Sequence, residues 1–137
     1  MEFQGDIKKM AKRNSDFRRV IVTGKRSQLV VMSIPPREDI GSEVHPGTDQ
    51  IFFVARGKAQ TVVNGRTSEV EENDVLFVPA GTEHNVINME DDEDLKIVTV
   101  YAPPQHAVGT VHKSKVDAMA AEGHEVKTAS PVHATTS

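Results

Sequence analysis

Short strand-like runs, each followed by turn-forming residues, are the feature that most constrains how this chain can fold. Valine, isoleucine and phenylalanine dominate the runs, and glycine, proline or asparagine separates them. Such residues favour the pleated surface of a sheet, and Asn64-Gly65 between two runs is a typical two-residue hairpin turn. An all-β barrel or sandwich is therefore predicted. Its expected strands are 18–23, 27–34, 42–45, 50–55, 59–63, 67–71, 74–79, 83–89 and 95–102.

The two ends of the chain lack this strand pattern. Near the C-terminus, SKVDAMAAEG is rich in alanine, with Ser114 as a candidate N-cap and Gly123 as a terminator, and predicts a helix. The polar N-terminal residues predict a flexible segment, with a short helix at 6–13 as an option. The last residues, rich in Ser, Thr and Ala, are predicted to be disordered. The predicted organisation is a flexible segment, one barrel domain, a helix and a tail, at 1–16, 17–113, 114–123 and 124–137.

Composition argues against several kinds of function. The 137 residues include 16 Lys and Arg against 20 Asp and Glu, a net charge of −4, so no nucleic-acid surface is expected. Cysteine is absent, which excludes disulfides, thiolate ligands and a cysteine nucleophile. No apolar run approaches the roughly 18–20 residues of a membrane span, and the N-terminus lacks the apolar region of a signal peptide. We therefore expect a soluble, cytoplasmic protein without nucleic-acid or membrane partners.

The candidate metal ligands are four polar residues on strand-like segments: Glu43, His45, Gln50 and His84. On one strand, Glu43 and His45 would face the same side because they are two residues apart. Residues from other strands can converge with them inside a barrel. Carboxylate, imidazole and amide oxygen together suit a divalent first-row metal. A Glu-x-His pair is also common on exposed strands, so spacing alone leaves a surface pair as the alternative.

The stretch NDVLFVPAGTEHNVIN resembles the second motif of the cupin superfamily, a group of small β-barrels. That motif consists of Gly, five residues, Pro-x-Gly, two residues, His, three residues and Asn. It is matched by Pro79, Gly81, His84 and Asn88. Asn73 stands in place of the leading glycine, and asparagine tolerates a left-handed backbone conformation.

The stretch GSEVHPGTDQIFFVARG is similar to the first cupin motif, which reads His-x-His, three or four residues, Glu, six residues and Gly. His45 takes the place of the second His, Glu43 that of the first His, and Gln50 that of the Glu. The number of ligands and their total charge are therefore unchanged. The resemblance implies a jelly-roll (double-stranded β-helix) barrel with a metal bound by these residues and His84. A cupin that has lost its metal is the alternative, and a register shift would exchange Gln50 for Asp49 as a ligand.

The resemblance covers roughly residues 17–117 and is specific to small single-domain bacterial cupins, often labelled mannose-6-phosphate-isomerase-like. Similar cupins bind several divalent metals. Manganese or iron is expected here, with nickel or zinc next, because no thiolate is available. The resemblance implies a small-molecule metalloenzyme of the oxygenase, lyase or isomerase class. The alternatives are a non-catalytic ligand-binding or sensing cupin and a purely structural or partner-binding barrel. A homodimer is also expected, in which strand 18–23 crosses to the partner's sheet.

Three further residues are candidates for lining the pocket: Phe52, Tyr101 and His106. Strand alternation places Phe52 on the same side as Gln50. Tyr101 is the single tyrosine, either a proton donor or a packing residue, and His106 follows the last long strand. Three basic residues can either bind an anionic substrate or form structural salt bridges: Arg18, Arg19 and Lys25.

Overall fold

The computed structural model describes residues 2–128, with side chains placed for residues 2–122. Nine strands and two helices lie within this range. In chain order they are α1 (Ile7–Arg13), β1 (Arg18–Thr23), β2 (Gln28–Ile34), β3 (Asp49–Arg56), β4 (Lys58–Val63), β5 (Arg66–Glu71), β6 (Val75–Val78), β7 (His84–Asn88), β8 (Leu95–Ala102), β9 (Val111–His112) and α2 (Lys115–Thr128).

The strands form two antiparallel sheets with the core between them. The larger sheet has the order β6-β3-β8-β2-β1-β9, and the smaller has the order β5-β4-β7. One buried cluster joins Val30, Phe52 and Ile97 of the larger sheet to Ala59 and Val86 of the smaller one. Apolar side chains from both inner faces are thereby removed from water, which is the main stabilising contribution to such a fold. The predicted all-β jelly-roll architecture with a C-terminal helix is confirmed.

Two features of the sheets bring the cupin motifs together. On β3, Gln50 is buried and Asp49 is exposed, and Gln50 lies opposite Tyr101 of β8. In the loop between β2 and β3, Glu43 pairs with His84 of β7 in an isolated antiparallel bridge. Each residue donates its N–H to the carbonyl of the other at 2.9 Å. The bridge holds the first motif against the second.

The segment 42–45, predicted to be a strand, contains only this isolated bridge. Gly41 before it has a φ of 91°, and Pro46 follows it without an N–H to donate. A continuous ladder has no room to form between these two residues.

The N-terminal segment predicted to be flexible contains helix α1, which packs on the outer face of the larger sheet. The Asp6 side chain accepts a hydrogen bond from the N–H of Lys9 and caps the helix. Ala11 is buried in a cluster with Val31 and Val98. The apolar outer face of the sheet explains why this polar segment is ordered in the structure, since covering it removes apolar area from water.

The C-terminal helix continues past Gly123, where the sequence predicted its end, and reaches Thr128. A glycine inside a helix costs only about 1 kcal/mol relative to alanine, which the surrounding helix-forming residues can offset. The rest of the predicted disordered tail, residues 129–137, lies outside the described residues. Neither helix in the described range is long and apolar enough to cross a membrane.

Strand β1 pairs within its own chain on both sides. It runs antiparallel to β2, and its first two residues pair with β9. β9 thereby covers the start of the edge of β1 that faces away from β2, and the expected crossing of β1 to a partner's sheet stays a prediction. The homodimer itself stays a prediction.

Candidate metal centre

Three side chains that could hold a metal ion converge inside the barrel: Glu43, His45 and His84. Their ligand atoms all lie within 4.8 Å of one another. Oε1 of Glu43 is 3.3 Å from Nε2 of His45 and 3.8 Å from Nε2 of His84. Both histidines are buried and Glu43 is half-buried. Two imidazoles and one carboxylate form a donor set suited to a divalent transition metal.

Gln50 lies beside this group with its carbonyl oxygen turned inward. Its amide nitrogen donates to Oγ1 of Thr99 at 3.0 Å, and its Oε1 lies 3.1 Å from Nε2 of His84. All four predicted ligands are therefore adjacent in the structure. The alternative ligand, Asp49, is exposed, and its Oδ1 accepts a hydrogen bond from the N–H of Ala80 at 2.9 Å. It lies outside the group because β3 keeps a regular pleat at this point.

His84 presents a lone pair to the group. Its Nδ1–H donates to the backbone carbonyl of Thr82 at 3.0 Å, so the neutral ring has an unprotonated Nε2. Burial lowers the pKa of His84 below its ordinary value, which favours this neutral form. The acceptor atoms Nε2 of His84 and Oε1 of Gln50 then face each other. A cation bound by both atoms would relieve the repulsion between their lone pairs, so the residues present fit a metal ion.

The turn before β7 holds the two histidines in register. Gly81 donates its N–H to the carbonyl of His45 at 2.9 Å, and it has a φ of 83°, which glycine adopts at no steric cost. Asn73, which replaces the leading glycine of the motif, has a φ of 77°. The expectation that asparagine occupies a left-handed position there is confirmed.

The last residue of the second motif, Asn88, has a structural role. It is fully buried, and its amide nitrogen donates to the backbone carbonyls of Ile34, Pro35 and Glu93 at 2.9–3.1 Å. Its Oδ1 accepts from the N–H of Glu90 at 2.8 Å. Asn88 thereby joins the segment after β2 to the acidic loop before β8.

The residues predicted to line the pocket lie around the two histidines. Phe52 contacts His84 edge-on with ring centroids 5.8 Å apart, and Tyr101 contacts His45 in the same way at 5.9 Å. His106 is one layer further out, 5.0 Å from the ring of Tyr101. Burial raises the pKa of the Tyr101 hydroxyl, so this group stays protonated and is a hydrogen-bond donor.

Arg18 connects the metal-ligand group to the C-terminal helix. Its side chain is 2% exposed; Nη1 donates to Oε2 of Glu122 at 3.0 Å, and Nη2 lies 3.9 Å from Oε2 of Glu43. Burial opposes the charge, but Tyr101 and the two carboxylates raise the pKa of Arg18. The neighbouring Arg19 instead pairs with Asp16 at 2.9 Å, with its side chain nearly half exposed. Sequence reasoning named both arginines without distinguishing them, and it missed Glu122 because no local pattern marks this residue.

Comparison with known protein families shows which family this chain belongs to. A model of the cupin domain matches residues 30–101, which is more than half of the chain. The chain belongs to the cupin family. This confirms the resemblance that its two motifs indicated.

Relatives of this cupin occur in several bacteria. YrkC of Bacillus subtilis is 41% identical over 127 residues, an alignment that covers 88% of this chain and 67% of that protein. The crystal structure of BH2720 from Bacillus halodurans superposes with a TM-score of 0.84 and 41% identity, covering 88% of this cupin and 95% of that chain. The oxalate-binding protein of Thermotoga maritima is 28% identical over 69 residues, which are 50% of this chain and 56% of that protein.

Proposed function

We propose that this cupin binds one divalent transition metal ion through Glu43, His45, Gln50 and His84 and uses it on a small-molecule substrate. One observation carries the proposal: the unprotonated Nε2 of His84 faces the amide oxygen of Gln50, beside the carboxylate of Glu43. Three acceptors of different chemistry, directed at one point inside a barrel, are the arrangement that a metal ion requires.

A metal bound here would supply Lewis-acid or redox chemistry of the kind that oxygenases, lyases and isomerases use. The chain's own residues orient the donors and shield them. Thr82 fixes the tautomer of His84, and Thr99 turns the oxygen of Gln50 inward. Phe52 and Tyr101 pack edge-on against the two histidines, which are almost completely shielded from bulk water.

The finer assignments rest on donor chemistry and composition. We propose manganese or iron(II) as the metal, with nickel or zinc next, because the donors are imidazole and oxygen. We also propose that the protein acts in the cytoplasm as a homodimer, and light scattering of the purified protein measures its oligomeric state.

Metal analysis of protein purified without chelator and without a nickel column tests the central proposal. The wild type is expected to hold close to one metal ion per chain, and His84→Ala and His45→Ala are expected to lose it. Glu43→Gln and Asp49→Asn form a matched pair, because both remove one negative charge. We expect the first to lower metal occupancy and the second to leave it unchanged, since Asp49 lies on the opposite face of β3.

Two results would contradict the proposal. One is a wild type that neither contains metal nor takes up Mn²⁺ or Fe²⁺ on titration of the chelator-treated protein. The other is full metal retention in both histidine variants. The variants are compared by circular dichroism, so that loss of metal is distinguished from loss of fold.

A second candidate function is non-catalytic binding of a small ligand at the same metal. The Thermotoga maritima relative whose name describes oxalate binding favours this candidate. Metal-dependent turnover or oxygen uptake in a screen of small organic acids supports the enzyme. Saturable ligand binding without any turnover supports the binding protein.

A further inference from the structure

A buried guanidinium lies between the metal-ligand group and the C-terminal helix. Arg18 contacts two carboxylates, Glu122 at 3.0 Å and Glu43 at 3.9 Å. Its Nε is buried and has no hydrogen-bond partner among the described residues. A guanidinium has five N–H donors, and leaving one unsatisfied in a buried position costs free energy. Arg18 therefore retains a donor that the described part of the chain does not use.

One of the two carboxylates that contact Arg18, that of Glu122, belongs to a helix outside the barrel. Glu122 lies on α2, and its side chain is 21% exposed, so this ion pair is at the solvent side of the site. Two other contacts hold α2 on the barrel independently of Glu122. Ala118 is buried in the main core, and Lys115 forms an ion pair with Asp39. Glu122 can leave Arg18 while the start of the helix stays in place.

We propose that Arg18 is the receptor for the carboxylate of a small organic acid, and that Glu122 occupies this receptor until the ligand displaces it. This inference rests on the proposed function, because the other end of the ligand would face the metal. Glu43 connects Arg18 to the metal-ligand group. Its Oε2 lies 3.9 Å from Nη2 of Arg18, and its Oε1 belongs to the metal-ligand group. A carboxylate bound to Arg18 is therefore adjacent to the metal.

The charges around Arg18 favour a carboxylate over a phosphate. Even after Glu122 has left, the single guanidinium faces the carboxylate of Glu43, so a group with two charges on one centre, such as a phosphate dianion, would meet more negative charge than one cation offsets. Each carboxylate of a dicarboxylic acid carries only one charge, and the second carboxylate would face the metal. A planar monoanionic group matches the fork of the guanidinium and has the same chemistry as the side chain that it replaces. The neutral ring of His106, whose Nε2 is buried without a partner among the described residues, provides a second polar atom in the same region.

Isothermal titration with malonate, and with neutral malonamide as its isostere, tests this inference on metal-loaded and on chelator-treated protein. Removing the competing carboxylate in Glu122→Gln is expected to tighten malonate binding about tenfold, since hydrogen bonds to charged groups contribute at least that factor. Glu69→Gln makes the same charge change on the exposed β5 strand, and we expect it to have no effect. Arg18→Gln is expected to weaken malonate binding about tenfold or more, and Arg18→Lys is expected to weaken it less. Malonamide binding is expected to be insensitive to Glu122→Gln.

The inference is overturned if Glu122→Gln leaves malonate affinity unchanged or reduces it, or if neither the wild type nor this variant binds malonate. Equal tightening in Glu69→Gln also overturns it, since the effect would then be one of net charge. If Arg18→Gln does not fold, Arg18→Lys and Glu122→Gln decide the question.

Metal content is measured in every sample. If Glu122→Gln tightens malonate binding but the protein neither contains metal as purified nor takes it up on titration, the proposed function alone is refuted. Full metal content without tightening refutes this inference alone.

Discussion

Replacing His106 by glutamine will remove part of the acid sensitivity of folding. Burial, followed by the positive charge of Arg18, lowers the pKa of His106 to about 2, against an ordinary value of 6.5. The native protein therefore keeps this ring neutral at pH values at which the unfolded chain protonates it. The contribution of His106 to stability is complete above the unfolded pKa and is lost as the pH falls below it.

The linkage between protonation and folding gives the size of the effect. Between about pH 7.5 and about pH 5.5 the unfolded chain takes up most of one proton at this histidine, while the native protein takes up none. Integrated over this interval, the free energy of unfolding falls by about 1.4 kcal/mol on account of His106 alone. The result does not depend on the native pKa as long as that pKa lies well below the lower pH.

Urea unfolding of chelator-treated wild type and His106→Gln at these two pH values measures the effect. The metal is removed because metal binding is itself linked to protons. The other titrating groups are shared, so the wild type should lose about 1.4 kcal/mol more than the variant between the two pH values. An equal loss in both proteins would refute the reasoning, since His106 would then be protonated or solvated in the native state.

Two further predictions concern the backbone around the site. Asn88→Ala leaves the carbonyls of the segment after β2 and of the acidic loop without their donor, and should reduce the free energy of unfolding by about 3 kcal/mol, measured by urea denaturation. Gly57→Ala should cost about 1–3 kcal/mol in the same assay, because its φ is 105° and a Cβ would lie 3.2 Å from Cδ1 of Leu95. Gly47→Ala is its control: a Cβ there has no neighbour within 4 Å, and the expected change is below about 0.5 kcal/mol. Equal destabilisation by the two glycine variants, or an Asn88→Ala protein as stable as the wild type, would contradict these assignments.

The sequence by itself determined most of the strands and indicated the family, although segment 42–45 forms only an isolated bridge and the short strand β9 was not predicted. β1 and β8 have the bounds that their apolar runs predicted, since glycine and proline after a run end the ladder locally. The same local chemistry placed Asn73 in a left-handed turn. The four candidate ligands also followed from the sequence, because the two cupin motifs preserve their spacing even where the residue types differ.

Only the tertiary structure decided which side chains meet at the site. The spacing of the motif left Gln50 and Asp49 as alternative candidates for the same ligand position. The pleat of β3, which is fixed by pairing with β6 and β8, turns Gln50 inward. Similarly, pairing with β2 and β9 directed Arg18 rather than Arg19 into the interior. Glu122 lies 104 residues from Arg18 in the chain. Their contact depends on where α2 packs against the barrel, and a pattern of neighbouring residues carries no information about a contact over that separation.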